Sequence, residues 1–121
     1  MEATDQLLRM YKLFIPAEIL ESFEVQEIKE QSSNIIVELV EKGSLVPVGL
    51  KGKEWALNGY MNALELQSFP INAKECYLRL QRRRWKEKGN DRQSYYNEYD
   101  FAATGTKATK SFGVFLKEYL R

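Results

Sequence analysis

Apolar and polar side chains alternate along residues 76–85, which is the pattern of a strand that buries one face. The face expected to be buried carries Cys76, Leu78 and Leu80, and the opposite face carries cations and aromatic rings. Beyond Leu80 the inward positions are occupied by Arg82 and Arg84. A core does not bury a row of unpaired guanidinium groups. The pattern therefore predicts that this strand runs out of the core into solvent.

A second alternating stretch follows closely, after the turn signal Gly89-Asn90-Asp91. The two stretches predict a two-stranded basic β-ribbon over residues 75–103, with Lys88–Arg92 at its tip. Pro70 ends the alternating segment before the ribbon, residues 64–71, and favours an edge position or a strand end. Residues 45–53 contain Pro47, Gly49 and Gly52 and are predicted as a loop.

Helices are expected at both ends of the chain. Spacing of three and four residues predicts helices over 4–14 and 16–22 whose inward side chains are Leu7, Leu8, Tyr11, Phe14, Ile19, Leu20 and Phe23. Thr106 is expected to cap a final helix. Its apolar stripe comprises Ala108, Phe112, Phe115, Leu116, Tyr119 and Leu120, with Lys107, Lys110, Lys117 and Arg121 opposite. A stripe of this kind usually packs on a sheet.

The predicted fold class is therefore α+β, with a C-terminal helix packed on an antiparallel sheet. Its strands are expected near 23–30, 34–41, 54–61 and 76–103. At 121 residues the chain is expected to form one domain. The division within it is a helical start (1–22), strands and loops (23–74), the basic ribbon (75–103) and the final helix (104–121).

Composition argues against catalysis and metal binding. The chain has no histidine, one cysteine and three aspartates, so histidine-dependent nucleophilic catalysis and an internal disulfide are excluded. No spacing singles out a pair of glutamates, and neither an enzyme nor a cofactor or metal is expected. The sequence contains no run of eighteen apolar residues and no basic leader, which predicts a cytoplasmic protein without membrane contact.

The net charge of +1 conceals an uneven distribution. Residues 1–70 carry six Lys and Arg against eleven Asp and Glu, whereas residues 71–121 carry twelve against six. A basic half suggests an anionic partner, although two halves of one fold that attract each other would give the same pattern. The clustering of cations at 79–88 favours the partner.

Nucleic acid is the partner that best fits the ribbon, because successive cations can neutralise successive phosphates and a β-ribbon fits the major groove. The aromatic residues Tyr77, Trp85, Tyr95 and Tyr96 could stack on bases or cover the sheet. A protein partner, or a solvated edge strand guarded against aggregation, remains open on these residues alone. The predicted nucleic-acid contacts are Arg79, Arg82, Arg83, Arg84, Trp85, Lys86, Lys88, Arg92, Lys107 and Lys110.

Several short motifs occur in a fixed order: Phe69-Pro70-Ile71, the basic strand ending Arg82-Arg83-Arg84-Trp85, Gly105-Thr106, and a helix ending Phe115-Leu116-Lys117-Glu118. In this order they resemble the N-terminal region of bacterial insertion-sequence transposases of the ISAon type. The resemblance runs through most of residues 14–121. It implies a small chain encoded beside a separate DDE-type catalytic chain.

A more distant transposase group resembles the same stretch, and its hairpin is a zinc ribbon. Here the ligand positions after Trp85 are filled by Lys86, Glu87 and Lys88, so the metal is not carried over. The resemblance implies a non-catalytic accessory region that binds DNA, with the element ends as the expected target. The alternative is a protein-interaction module that docks the catalytic transposase chain and has no DNA binding of its own.

Overall fold

The computed structural model describes residues 2–119, and side chains from residue 5 onward. Within that range the chain forms helices α1 (Glu2–Phe14), α2 (Ala17–Leu20) and α3 (Lys110–Tyr119). Its strands are β1 (Phe23–Glu30), β2 (Asn34–Glu41), β3 (Trp55–Tyr60), β4 (Leu64–Ile71), β5 (Lys74–Gln81), β6 (Arg83–Glu87) and β7 (Asn90–Tyr95). This confirms the α+β class. No described helix is long and apolar enough to cross a membrane.

Four strands form the first sheet, in the order β1-β2-β5-β4. The β1–β2 and β4–β5 pairs are antiparallel, whereas β2 and β5 run parallel. The prediction of an antiparallel sheet is therefore wrong for one strand pair, β2 and β5. The connection between β2 and β5 is long enough to hold β3 and β4, and it returns the chain in the same direction.

The second sheet has three strands, in the order β3-β6-β7. The predicted ribbon of residues 75–103 is therefore wrong in its extent. The strand breaks at Arg82, so that β5 belongs to the first sheet and β6 to the second. Only β6 and β7 form the hairpin, with Gly89 at a positive φ of 84° in its turn. The strand does not run out into solvent, because it passes from one sheet into the other.

The main core lies on one face of the first sheet, where alternating side chains of β2 and β5 are buried. Ile15 and Ile19 cover this face at 2% and 0% exposure. Phe101 belongs to the same core, because the chain leaves the second sheet after β7 and returns to the first. Leu7 and Leu8 were expected in the core and are each 49% exposed, so that prediction is wrong.

The C-terminal segment extends the first sheet before it becomes helical. Gln67 of β4 bridges Ala108 in parallel, and α3 starts only at Lys110. Its cap is Thr109, whose Oγ1 accepts a hydrogen bond from the Phe112 N–H at 3.3 Å, and not Thr106 as expected. Phe112 is buried, which confirms that the helix packs on the sheet, and Leu120 and Arg121 lie outside the described residues.

Candidate nucleic-acid interface

The three consecutive arginines form the junction between the two sheets. Each guanidinium donates to a backbone carbonyl: Arg82 Nη1 to Asn97 at 3.2 Å, Arg83 Nε to Glu41 at 2.8 Å, and Arg84 Nε to Asn58 at 2.7 Å. All three side chains are half-buried. We call them the arginine junction. Their hydrogen bonds connect the β5–β6 stretch to β2, to β3 and to the segment after β7, which gives each of them a structural role.

Two of these cations also lie over aromatic rings. The guanidinium carbon of Arg82 is 5.3 Å from the Tyr96 ring centroid, and that of Arg83 is 5.9 Å from the Tyr60 centroid. Such contacts are attractive because the ring face is electronegative. Tyr96 was expected to stack on bases or to cover the sheet. In the structure its ring contacts the Arg82 guanidinium.

Glu41 is the acidic counterpart of the junction and is fully buried. Its Oε1 accepts from the Arg83 N–H at 2.9 Å, and its Oε2 accepts from Asn97 Nδ2 at 3.1 Å and from the Tyr99 hydroxyl. Burial, followed by this hydrogen bond, raises the pKa of Tyr99. The carboxyl group of Glu41 thereby joins the end of β2, the start of β6 and the segment after β7.

Trp85 is buried and cannot contact DNA, so its assignment as a nucleic-acid contact is wrong. Its side chain has 0% exposure and lies outside the main core cluster. The Trp55 ring meets it edge-on at a centroid distance of 4.9 Å. The outward prediction failed because the strand enters a new sheet at Arg82. There Trp55, on the neighbouring strand β3, packs against Trp85.

Other predicted contacts are held in ion pairs. Arg79 lies between Glu38 and Glu65 at 3.9 and 3.8 Å. Lys86 pairs with Asp91 at 2.6 Å. Lys110 pairs with Asp100 at 3.6 Å. These cations are partly neutralised within the chain, which reduces what each offers to a phosphate.

One end of the second sheet carries four exposed cations. They are Lys51, Lys53, Lys88 and Arg92, and no described residue forms an ion pair or hydrogen bond with their charged groups. We call these four residues the basic end.

Backbone pairing brings the basic end together from three segments. The Lys88 N–H donates to the Glu54 carbonyl at 2.9 Å, which sets Lys53 beside the β6–β7 turn. The pairing of Glu87 with Asn90 sets Arg92 near the end of the facing strand β6. Glu54 and Glu87 lie at the same end of the sheet and partly offset the positive charge of the basic end.

Lys107 and Lys110 do not belong to this cluster. The Lys107 carbonyl accepts from the Gln67 N–H at 2.8 Å, so both lysines lie beside β4 of the first sheet. The sequence prediction missed Lys51 and Lys53, because they precede β3 in a loop and their proximity to Lys88 depends on the β3–β6 pairing. No local pattern in the sequence carries that information.

No group of three potential metal-ligating side chains occurs among residues 5–119, whose side chains the structure describes. Cys76 is buried as expected, and burial raises the pKa of its thiol, which disfavours the reactive thiolate.

Comparison with known proteins adds no relative. No protein-family model, no curated protein and no solved structure matches this chain. The resemblance to insertion-sequence transposases therefore stays a prediction from sequence motifs.

Proposed function

We propose that this chain is a non-catalytic DNA-binding accessory region of an insertion-sequence transposase, and that it contacts DNA through the basic end. The transposase assignment rests on the order of the sequence motifs. The observation that carries DNA binding is the gathering of Lys51, Lys53, Lys88 and Arg92, all exposed, at one end of the second sheet. Their charges are available to phosphates without first breaking an ion pair.

The geometry of this end suits a duplex. The β6–β7 hairpin projects Lys88 and Arg92 on a two-stranded unit, and a unit of that width fits the major groove. Trp55 is 41% exposed and follows Lys53 by two residues, which provides an aromatic ring beside the cations. Rings in this position can stack on unpaired bases. The arginine junction holds the second sheet in place behind them.

The test is fluorescence-anisotropy titration of a labelled duplex across a salt series. In a plot of log affinity against log salt concentration, each phosphate contact makes the negative slope steeper by about 0.9. Replacing Lys53, Lys88 and Arg92 with alanine should therefore make the slope less steep by roughly 2.7. Competition with unrelated DNA then separates sequence-specific binding from general affinity.

The matched control removes the same charge from other elements. It replaces Lys12, Lys29 and Lys117, which are exposed and lie on α1, β1 and α3. This variant should keep nearly the wild-type slope. Absence of binding by the wild type at low salt would rule out the proposed function. Equal slopes for the two triple variants would rule out the basic end.

The second candidate is docking of a protein partner, such as a catalytic transposase chain. It is favoured by the apolar side chains that α1 exposes, where Leu13 is 84% and Met10 is 55% exposed. Helices usually bury such residues, and exposed apolar patches commonly mark interaction sites. Binding to a DDE-type catalytic chain, together with no DNA affinity at low salt, would favour this candidate over the first.

A further inference from the structure

The outer edge of β4 has backbone groups that remain unpaired. β4 is an edge strand of the first sheet. The Gln67 N–H donates to the Lys107 carbonyl at 2.8 Å, and the Gln67 carbonyl accepts from the Thr109 N–H at 2.9 Å. The outward groups of Gln67 are therefore used by the chain's own C-terminal segment. Residues 107–109 do not extend along this edge as far as Glu65.

Glu65 has the same orientation as Gln67. Residues two apart on a regular strand direct their N–H and C=O groups to the same side. The register with β5 is unbroken from Leu64 to Ser68, so the Glu65 N–H and C=O also point outward. No described residue pairs with them. A strand edge of this kind is a template for an added strand.

A cleft lies along this unpaired stretch. Its volume is about 630 Å³, and its walls include Leu64, Leu66, Phe101 and Lys107. Apolar side chains dominate the core side of the cleft. An extended peptide beside Glu65 would direct alternate side chains towards that apolar wall and the others towards the open face.

Charge on the open face specifies what the second set of side chains should be. Lys29, Glu38, Arg79 and Glu65 form a row across the sheet whose signs alternate, with contacts of 3.2, 3.9 and 3.8 Å. The row ends at Glu65, which has no strand on its outer side. A cation on an added strand would continue the alternation and pair with this carboxylate.

We propose that the β4 edge binds an extended peptide segment with alternating apolar and basic side chains by adding it to the first sheet. A second copy of this chain fits less well. Residues 107–109 already occupy the edge at Gln67 and leave too short a stretch for two β4 strands to pair. A flexible peptide needs only the free stretch around Glu65 and the adjoining cleft. The site is independent of the basic end.

The test uses a Val-Lys-Val-Lys-Val amide whose N-terminal amine carries fluorescein, titrated by anisotropy at physiological salt. We expect saturable binding to the wild-type protein. Hydrogen exchange of the Glu65 amide should slow in the complex, because its N–H becomes a ladder donor. A peptide of the same length with Glu in place of Lys is the charge control and should not saturate.

Two substitutions at Glu65 distinguish the contribution of its backbone N–H from that of its carboxylate. Glu65→Pro removes the outward N–H, which makes no bond to β5, so an edge strand tolerates it. This variant should weaken peptide binding by roughly tenfold, as expected for one lost hydrogen bond and one lost ion pair. Glu65→Gln keeps the N–H and should weaken binding by only about threefold.

A peptide methylated at its backbone nitrogens repeats the test on the unaltered protein, and it should not bind. The proposal is overturned if the methylated peptide binds as tightly as its parent. It is also overturned if no saturation is reached by about 1 mM peptide, or if hydrogen exchange at the Glu65 amide does not change. Loss of DNA binding has no bearing on these outcomes.

Discussion

Replacing Glu41 with alanine should remove a group of hydrogen bonds at the junction of the two sheets. The substitution removes the acceptor of three hydrogen bonds, from the Arg83 N–H, the Asn97 amide and the Tyr99 hydroxyl. Asn97 keeps its second bond, to the Leu45 carbonyl at 2.7 Å. Each lost hydrogen bond contributes about 1–1.5 kcal/mol net, so the expected loss is about 3–4.5 kcal/mol. A domain of this size has about 5–15 kcal/mol of unfolding free energy, which makes the loss large but measurable.

Urea unfolding followed by tryptophan fluorescence gives the change directly, because Trp85 is buried at the second sheet. A loss of that size corresponds to a fall of about 2 M in the urea midpoint. The matched control is Glu38→Ala. Glu38 is 27% exposed and forms only surface ion pairs, so its removal should cost less than about 1 kcal/mol. Equal midpoints for the two variants would refute the central role assigned to Glu41.

Three further predictions concern buried groups. The Cys76 thiol should react with a thiol reagent such as DTNB only on unfolding, and fast labelling of the native protein would contradict its burial. The pKa of Tyr99 is raised above its ordinary 10.0, so folding stabilises the protonated phenol. This contribution to the free energy of unfolding is complete below pH 10 and is lost as the pH rises further. The Tyr99→Phe variant should therefore lose less stability than the wild type above pH 10. An added Cβ at Gly113 would lie 2.4 Å from the Cβ of Ala103. Gly113→Ala should therefore lower the unfolding free energy by about 1–3 kcal/mol, whereas Gly43→Ala, with its nearest contact at 3.8 Å, should change it little.

The α+β class and most element positions could be predicted from local patterns. β2 illustrates why, since its side chains alternate strictly between buried and half-buried positions. Period two is a local property of the chain, and burial of one face follows from it. The prediction for α1 failed at Leu7 and Leu8, because periodicity identifies an apolar face without showing whether anything packs against it.

The candidate site depended on pairings that a local pattern does not contain. The alternation of residues 76–85 correctly predicted strand, but the change of sheet at Arg82 reversed the surroundings of Trp85. Three arginines in sequence indicated a phosphate site, but their carbonyl partners lie up to 42 residues away, on β2, on β3 and after β7. The cations of the basic end lie at one end of the second sheet because β3 pairs with β6 and β6 pairs with β7.

Lysine footprinting tests the location of DNA contact most directly. The native protein is acetylated briefly with and without a saturating duplex, and the modification of each lysine is measured by mass spectrometry. We predict that DNA protects Lys53 and Lys88, while Lys12 and Lys29 react at unchanged rates. Unchanged reactivity at Lys53 and Lys88 in the presence of bound DNA would contradict the assignment of the basic end.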